Sequence, residues 1–149
     1  SYGALEGEKK WEMEKRYGPS QVHLWRRSFS ERPQALSKDD RRYPGWDRRY
    51  REIEEKDLPR TESLEDAMQR ILPLWQGQIL PQLEKQRNVL VVSHGNTIRS
   101  LVKHIEGVSD EDIEKIEIAT AAPLLYEMDE SMRLVRGRLT IFPAGEKDG

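Results

Sequence analysis

The chain has 149 residues, the size of one ordinary domain. Charged residues make up 35% and hydrophobic residues 36%, so a polar surface is expected around a thin core. Lys+Arg 25 against Asp+Glu 27 leaves a formal net charge of −2. That balance excludes a broadly basic nucleic-acid coat and a polyanionic tail, so any anion site has to be a local concentration of positive charge. The absence of cysteine excludes disulfides, thiolate metal sites and cysteine nucleophiles. No apolar run approaches the ~20 residues that span a bilayer, and the start lacks a signal-peptide core; the expectation is a soluble, cytoplasmic protein with no membrane partner. The chain begins at Ser1 without an initiator Met, as a processed chain or a fragment does.

Residues 1–7 read as a loop around Gly3 and Gly7. Residues 8–17 form a short charged helix, with Gly18 placed to close it. Pro19 starts a second helix through Val22, Trp25, Arg26 and Phe29. Residues 30–61 lose periodicity, are dense in charge and are punctuated by Pro33, Pro44 and Pro59; so long an irregular stretch is uncommon in a small domain. Ser63 and Asp66 have the spacing of a capping box before an apolar stripe of Leu64, Ala67, Met68, Ile71, Leu72 and Trp75. Pro73 should kink that helix, and Pro81 lies near its end. Residues 88–93 (Asn-Val-Leu-Val-Val-Ser) are the best strand signal, a β-branched run suited to burial on both faces of a parallel sheet. A turn at His94-Gly95-Asn96 precedes a helix over residues 97–105, closed by Gly107, and Ser109 caps another short helix. Residues 123–128 and 133–140 read as two further strands. A parallel strand buried on both faces requires neighbours, and nothing before residue 88 reads as a strand. The sheet is therefore expected to be incomplete.

The strand–turn–helix pattern places His94 at the end of a strand and the backbone amides of Gly95 and Asn96 at a helix start, where open α/β sheets bind anions. The same tripeptide also serves as a plain turn with Asn96 as helix cap. Arg26-Arg27 offers two planar donor forks that grip a phosphate or carboxylate, or else forms a solvated helix face. Lys10 and Tyr2 are weaker candidates, because lysines on charged helices usually face solvent and a Tyr near a chain start usually packs. His23 and His104 read as structural. The basic residues between Lys38 and Arg51 are interleaved with Asp39, Asp40 and Asp47, which dilutes a nucleic-acid field; no nucleic-acid partner is expected. No two histidines have ligand spacing, so no metal is expected either.

Five blocks carry a resemblance: Tyr2-Gly-Ala-Leu-Glu-Gly7, Trp25-Arg-Arg-Ser-Phe29, Lys38-Asp-Asp-Arg-Arg-Tyr-Pro-Gly45, Leu58-Pro-Arg-Thr-Glu-Ser-Leu64 and Ser93-His-Gly-Asn-Thr-Ile-Arg99. Their types and order resemble the 2,3-bisphosphoglycerate-dependent phosphoglycerate mutases of the histidine phosphatase superfamily, from Tyr2 to about residue 133. The resemblance implies a three-layer α/β/α sandwich, here with an incomplete sheet because the N-terminal part is absent. It implies interconversion of 3- and 2-phosphoglycerate through a phosphohistidine, primed by 2,3-bisphosphoglycerate, without metal. His94 matches the second active-site histidine, Gly95 and Asn96 match ligand-contacting positions, and Arg26 and Arg27 match the pair that binds the substrate's acidic groups, completed by Lys10 and Tyr2. Phosphoryl transfer rests on positioning and charge stabilisation, which suits such a set.

The departures set further expectations. The family's Arg-His-Gly nucleophile motif, a phosphate-binding arginine and the acid–base glutamate lie upstream of anything in this sequence, so the isolated chain should lack turnover. Ala119-Thr120-Ala121 stands where the family has Pro-Thr-Gly, and the tail after Arg138 does not resemble the family's. Two alternatives remain: a bisphosphoglycerate mutase or phosphatase of the same superfamily, or a non-catalytic chain that binds anions or pairs with another subunit. A homo-oligomer is open.

Overall fold

A computed structural model of the chain describes residues 2–140; most of the tail after Arg138 lies outside the described residues. Helices α1 (Lys10–Tyr17) and α2 (Pro19–Arg27) meet at Gly18, whose φ of +86° closes the first, while Pro19 opens the second at its N1 position. Met13 of α1 and Val22 of α2 form a small core with Leu5 from the preceding turn, and Tyr2, Tyr17 and Trp25 pack on its edge. Gly3 shapes the turn before them. It has φ +55°, and a Cβ there would lie 2.3 Å from the carbonyl oxygen of Gln34, so only glycine fits where Ala4 N–H donates to that same oxygen.

Residues 28–63 are irregular as expected, but they are pinned rather than loose. Leu36 is buried and exchanges hydrogen bonds with Arg60, its N–H to the Arg60 carbonyl and Arg60 Nε back to its own. Thr61 Oγ1 donates to the Pro33 carbonyl at 2.6 Å. Arg42 reaches the carbonyls of Ala4 and Glu6 and the carboxylates of Asp40 and Glu8. Most of this segment's cations are matched locally: Arg49 pairs with Asp47, and Lys38 with Glu55.

The capping box is present: Ser63 Oγ accepts from Asp66 N–H, and Asp66 Oδ2 accepts from Ser63 N–H. It opens α3 (Leu64–Leu74). Pro73 does not end this helix. The chain passes into a π turn at Trp75–Ile79 and on into α4 (Leu80–Glu84), with Leu80 N–H donating to the Trp75 carbonyl. A wider turn between two residues that lack an N–H, Pro73 and Pro81, absorbs their steric demand. Ile71, Trp75 and Ile79 pack with Leu101 of α5 (Gly95–Glu106) in the larger core, joined by Val89, Val91 and Met128. Gly107 caps α5 in the left-handed region.

The strand expected over residues 88–93 needs correction. Its side chains alternate: Val89 and Val91 lie on the core, whereas Leu90 and Val92 are each 85% exposed. The period of two belongs to a strand, but the backbone pairs with no other strand among the described residues. Burial on both faces therefore does not occur among the described residues. The strand signal was a property of the sequence; the ladder needs a second segment.

The hairpin matches its expectation, with β1 (Leu124–Met128) antiparallel to β2 (Leu134–Thr140). Asp129 Oδ1 organises the turn by accepting from the N–H groups of Ser131 and Arg133. The fold is thus mixed α/β, and the sheet among the described residues is two-stranded. Among them, no helix is long and apolar enough to cross a membrane, and no cluster of three or more potential metal-binding side chains occurs.

Candidate active site

His94 is the N-cap of α5, so the helix starts at Gly95, earlier than expected, and the capping side chain is the imidazole rather than Asn96. Its Nδ1 accepts from Asn96 N–H at 3.3 Å. In the neutral ring that bond leaves the proton on Nε2 as a donor. The amides of Gly95 and Thr97 find no protein acceptor among the described residues, as befits a first helical turn. A Cβ added at Gly95 would meet nothing within 4 Å, so the space over this turn is open.

Tyr2 links this turn to the N-terminal unit. Its ring stands edge-on to His94, centroids 5.3 Å apart at 71°, with the hydroxyl 3.4 Å from Nδ1 and 3.5 Å from Nε2. The Arg26 guanidinium also lies over this phenol ring, 6.0 Å from its centroid. Burial raises the Tyr2 pKa above 10.0, and the positive charges of Arg26, Arg99 and Arg27 oppose that rise. Three guanidiniums are therefore close enough to act on one phenol beside the imidazole.

Arg26 and Arg27 are the last residues of α2. Arg27 Nη2 holds Glu117 Oε1 at 2.6 Å, a pair with a three-quarters exposed carboxylate. Lys10, by contrast, pairs with Glu14 one turn along α1 at 3.4 Å, and no contact joins it to Tyr2, Arg26, Arg27 or His94. His23 lies 4.0 Å from Glu114, and His104 stands edge-on to Trp75. Of the three histidines in the chain, His94 is the one in this cluster.

Sequence reasoning missed Arg99 and Glu117. Arg99 is 1% exposed and spends its fork on the carbonyls of Arg26, Arg27 and Ile113 and on Asn96 Oδ1. Burial, and then repulsion from Arg27, lowers its pKa below the usual guanidinium value. The available signal was its spacing, three residues after Asn96 and so on the same helix face. One turn further, Lys103 is also buried and holds the Val108 carbonyl at 2.6 Å and Asp110 at 2.7 Å.

The structure thus gathers an exposed imidazole at a helix N-terminus, a phenol and nearby guanidiniums on a mixed α/β scaffold. The model of the histidine phosphatase superfamily (branch 1) matches residues 34–137, and the chain belongs to that superfamily. Its members include phosphatases and mutases, enzymes of phosphoryl transfer. The matched region carries His94, Gly95, Asn96 and Arg99, whereas Tyr2, Lys10, Arg26 and Arg27 precede it.

Proposed function

We propose that this chain recognises phosphoglycerate and supplies the second histidine and the acid-binding arginines of a 2,3-bisphosphoglycerate-dependent phosphoglycerate mutase. The observation that supports this most is Tyr2, whose ring meets both His94 and Arg26. Blocks separated widely in sequence thereby meet at one point. A small sugar acid with a carboxylate and a phosphate needs several cationic donors held at once, and a transferring phosphoryl group needs its charge stabilised in place.

In this reading Arg26 and Arg27 bind the substrate's acidic groups, and Tyr2 orients them. His94 donates from Nε2 to phosphoryl oxygen, with the Gly95 amide beside it. Open space at Gly95 and an excess of guanidiniums fit a compact polyanion. When bound, 2,3-bisphosphoglycerate supplies the phosphoryl group that primes the reaction. Lys10 joins the clamp only if its side chain leaves Glu14, an exposed pair that costs little to break.

A phosphohistidine route uses two imidazoles, and this cluster holds one. The unpaired edge over residues 88–93 runs directly into His94. A strand added in parallel there would end about 5 Å from it, within reach for a second histidine. Leu90 and Val92 are the side chains such a strand would help to cover.

Calorimetry of the 149-residue chain with 3-phosphoglycerate, alongside a mutase assay primed with 2,3-bisphosphoglycerate, tests the proposal. Saturable binding that Arg26→Ala and His94→Ala each weaken, without turnover, is expected. Absence of binding, or mutase turnover by the chain alone, contradicts it.

A further inference from the structure

Helix α2 ends at Arg27, so its last carbonyls lack helical donors. Those of Arg26 and Arg27 are taken by one side chain from another helix, Arg99, at 3.3 Å from Nη1 and 2.8 Å from Nη2. The same guanidinium donates to Asn96 Oδ1 at 3.3 Å in the first turn of α5. It also donates to the Ile113 carbonyl at 2.6 Å, four residues before Glu117.

All four acceptors are neutral oxygens. The cation is buried without a carboxylate in contact, and its Nε has no acceptor among the described residues. A merely structural buried arginine normally acquires a counter-anion, because an unpaired charge is costly to bury. Here the cost is met by the negative end of the α2 dipole and by the carboxylates of Glu114 and Glu117, which favour the charge without hydrogen-bonding it. An ammonium in the same place has the charge but not the planar fork needed to hold several acceptors in one geometry.

We propose that Arg99 is the positioning residue of the anion site, fixing Arg26 and Arg27 against His94 and Asn96. The inference rests on the reading of this cluster as a phosphoglycerate site. Arg99 touches no ligand itself; it acts through the end of α2 and through Asn96.

The test is Arg99→Lys, with Arg99→Met beside it, in the 149-residue chain. It uses thermal melting, calorimetric binding of 3-phosphoglycerate, and the nuclear Overhauser effect between the Tyr2 and His94 rings. Arg99→Lys, once shown to be folded, is expected to lose the ring–ring effect and at least tenfold in affinity. Arg99→Met should lose more affinity, because the charge goes as well. A folded Arg99→Lys chain with wild-type affinity and an intact ring–ring effect overturns the inference. If the wild-type chain binds no 3-phosphoglycerate but the ring–ring effect still vanishes in Arg99→Lys, the positioning role holds and the ligand assignment fails. Should both variants fail to fold, solvent exchange of the Arg99 guanidinium protons in the wild-type chain decides. Slow exchange supports a locked fork, and rapid exchange overturns it.

Discussion

Arg27 and Glu117 lie 2.6 Å apart, and the carboxylate of this pair is one that an anionic ligand would have to displace. Glu117 is largely exposed, so the pair is worth no more than about 1 kcal/mol. Glu117→Gln should therefore raise the affinity for 3-phosphoglycerate by up to about fivefold, with little change in melting temperature. Calorimetry at low and high salt checks this, since the gain should shrink as salt screens the pair.

The placement of Tyr2 depends on the turn before α1. Gly3→Ala puts a methyl into the Gln34 carbonyl and forces a non-glycine residue to hold φ +55°. A loss of about 2 kcal/mol in urea unfolding is expected. The fluorescence or ring resonances of Tyr2 should change with it. Unchanged stability would show that this turn does not carry the constraint described.

Asp66 ties Arg32 to the start of α3 through two hydrogen bonds of 2.6 Å while closing the capping box. The Arg32 guanidinium, ahead of the Ser63 donors, holds its carboxyl far below 3.8. A depressed carboxyl pKa contributes stability that is full above the unfolded value near 4 and is lost as pH falls toward the folded one. Unfolding free energy should thus decline below about pH 4. Asp66→Asn should flatten that slope and cost about 1 kcal/mol at pH 7. Parallel pH profiles of the two chains provide the comparison.

Ala121 has φ +58°, a left-handed conformation that costs an L-residue roughly 1 kcal/mol. It occupies the position where the resembled family has glycine. Ala121→Gly should be neutral to stabilising, by up to about 1 kcal/mol after the entropy of glycine is set against the strain. Differential calorimetry reads the change directly, and a clear loss of stability would rule out the strain.

The helix boundaries were legible where one residue type has a conformational monopoly. Gly18 and Gly107 close helices at positive φ, and Ser63 with Asp66 opens one. The hairpin was legible from Asp129 between two β-rich runs. Residues 88–93 showed what local pattern cannot supply: Val89 and Val91 obey the strand period, yet a ladder depends on a segment elsewhere. The site divides in the same way. His94 and the Arg26-Arg27 pair stood out from their residue types, whereas Tyr2 entered through the family resemblance; the structure brings Tyr2 against both His94 and Arg26. Arg99 and Glu117 did not stand out, because what they do is set by where α2 ends in space. Lys10 lay on an exposed helix face, where the nearest carboxylate took it.

Convergence of the imidazole and the arginine pair on one ligand is best tested by following the His94 ring and the Arg26 and Arg27 side-chain resonances in a single titration of the chain with 3-phosphoglycerate. One shared, saturable isotherm for all three residues is the expected result. Separate midpoints, or movement of His94 while both arginines stay still, would contradict it.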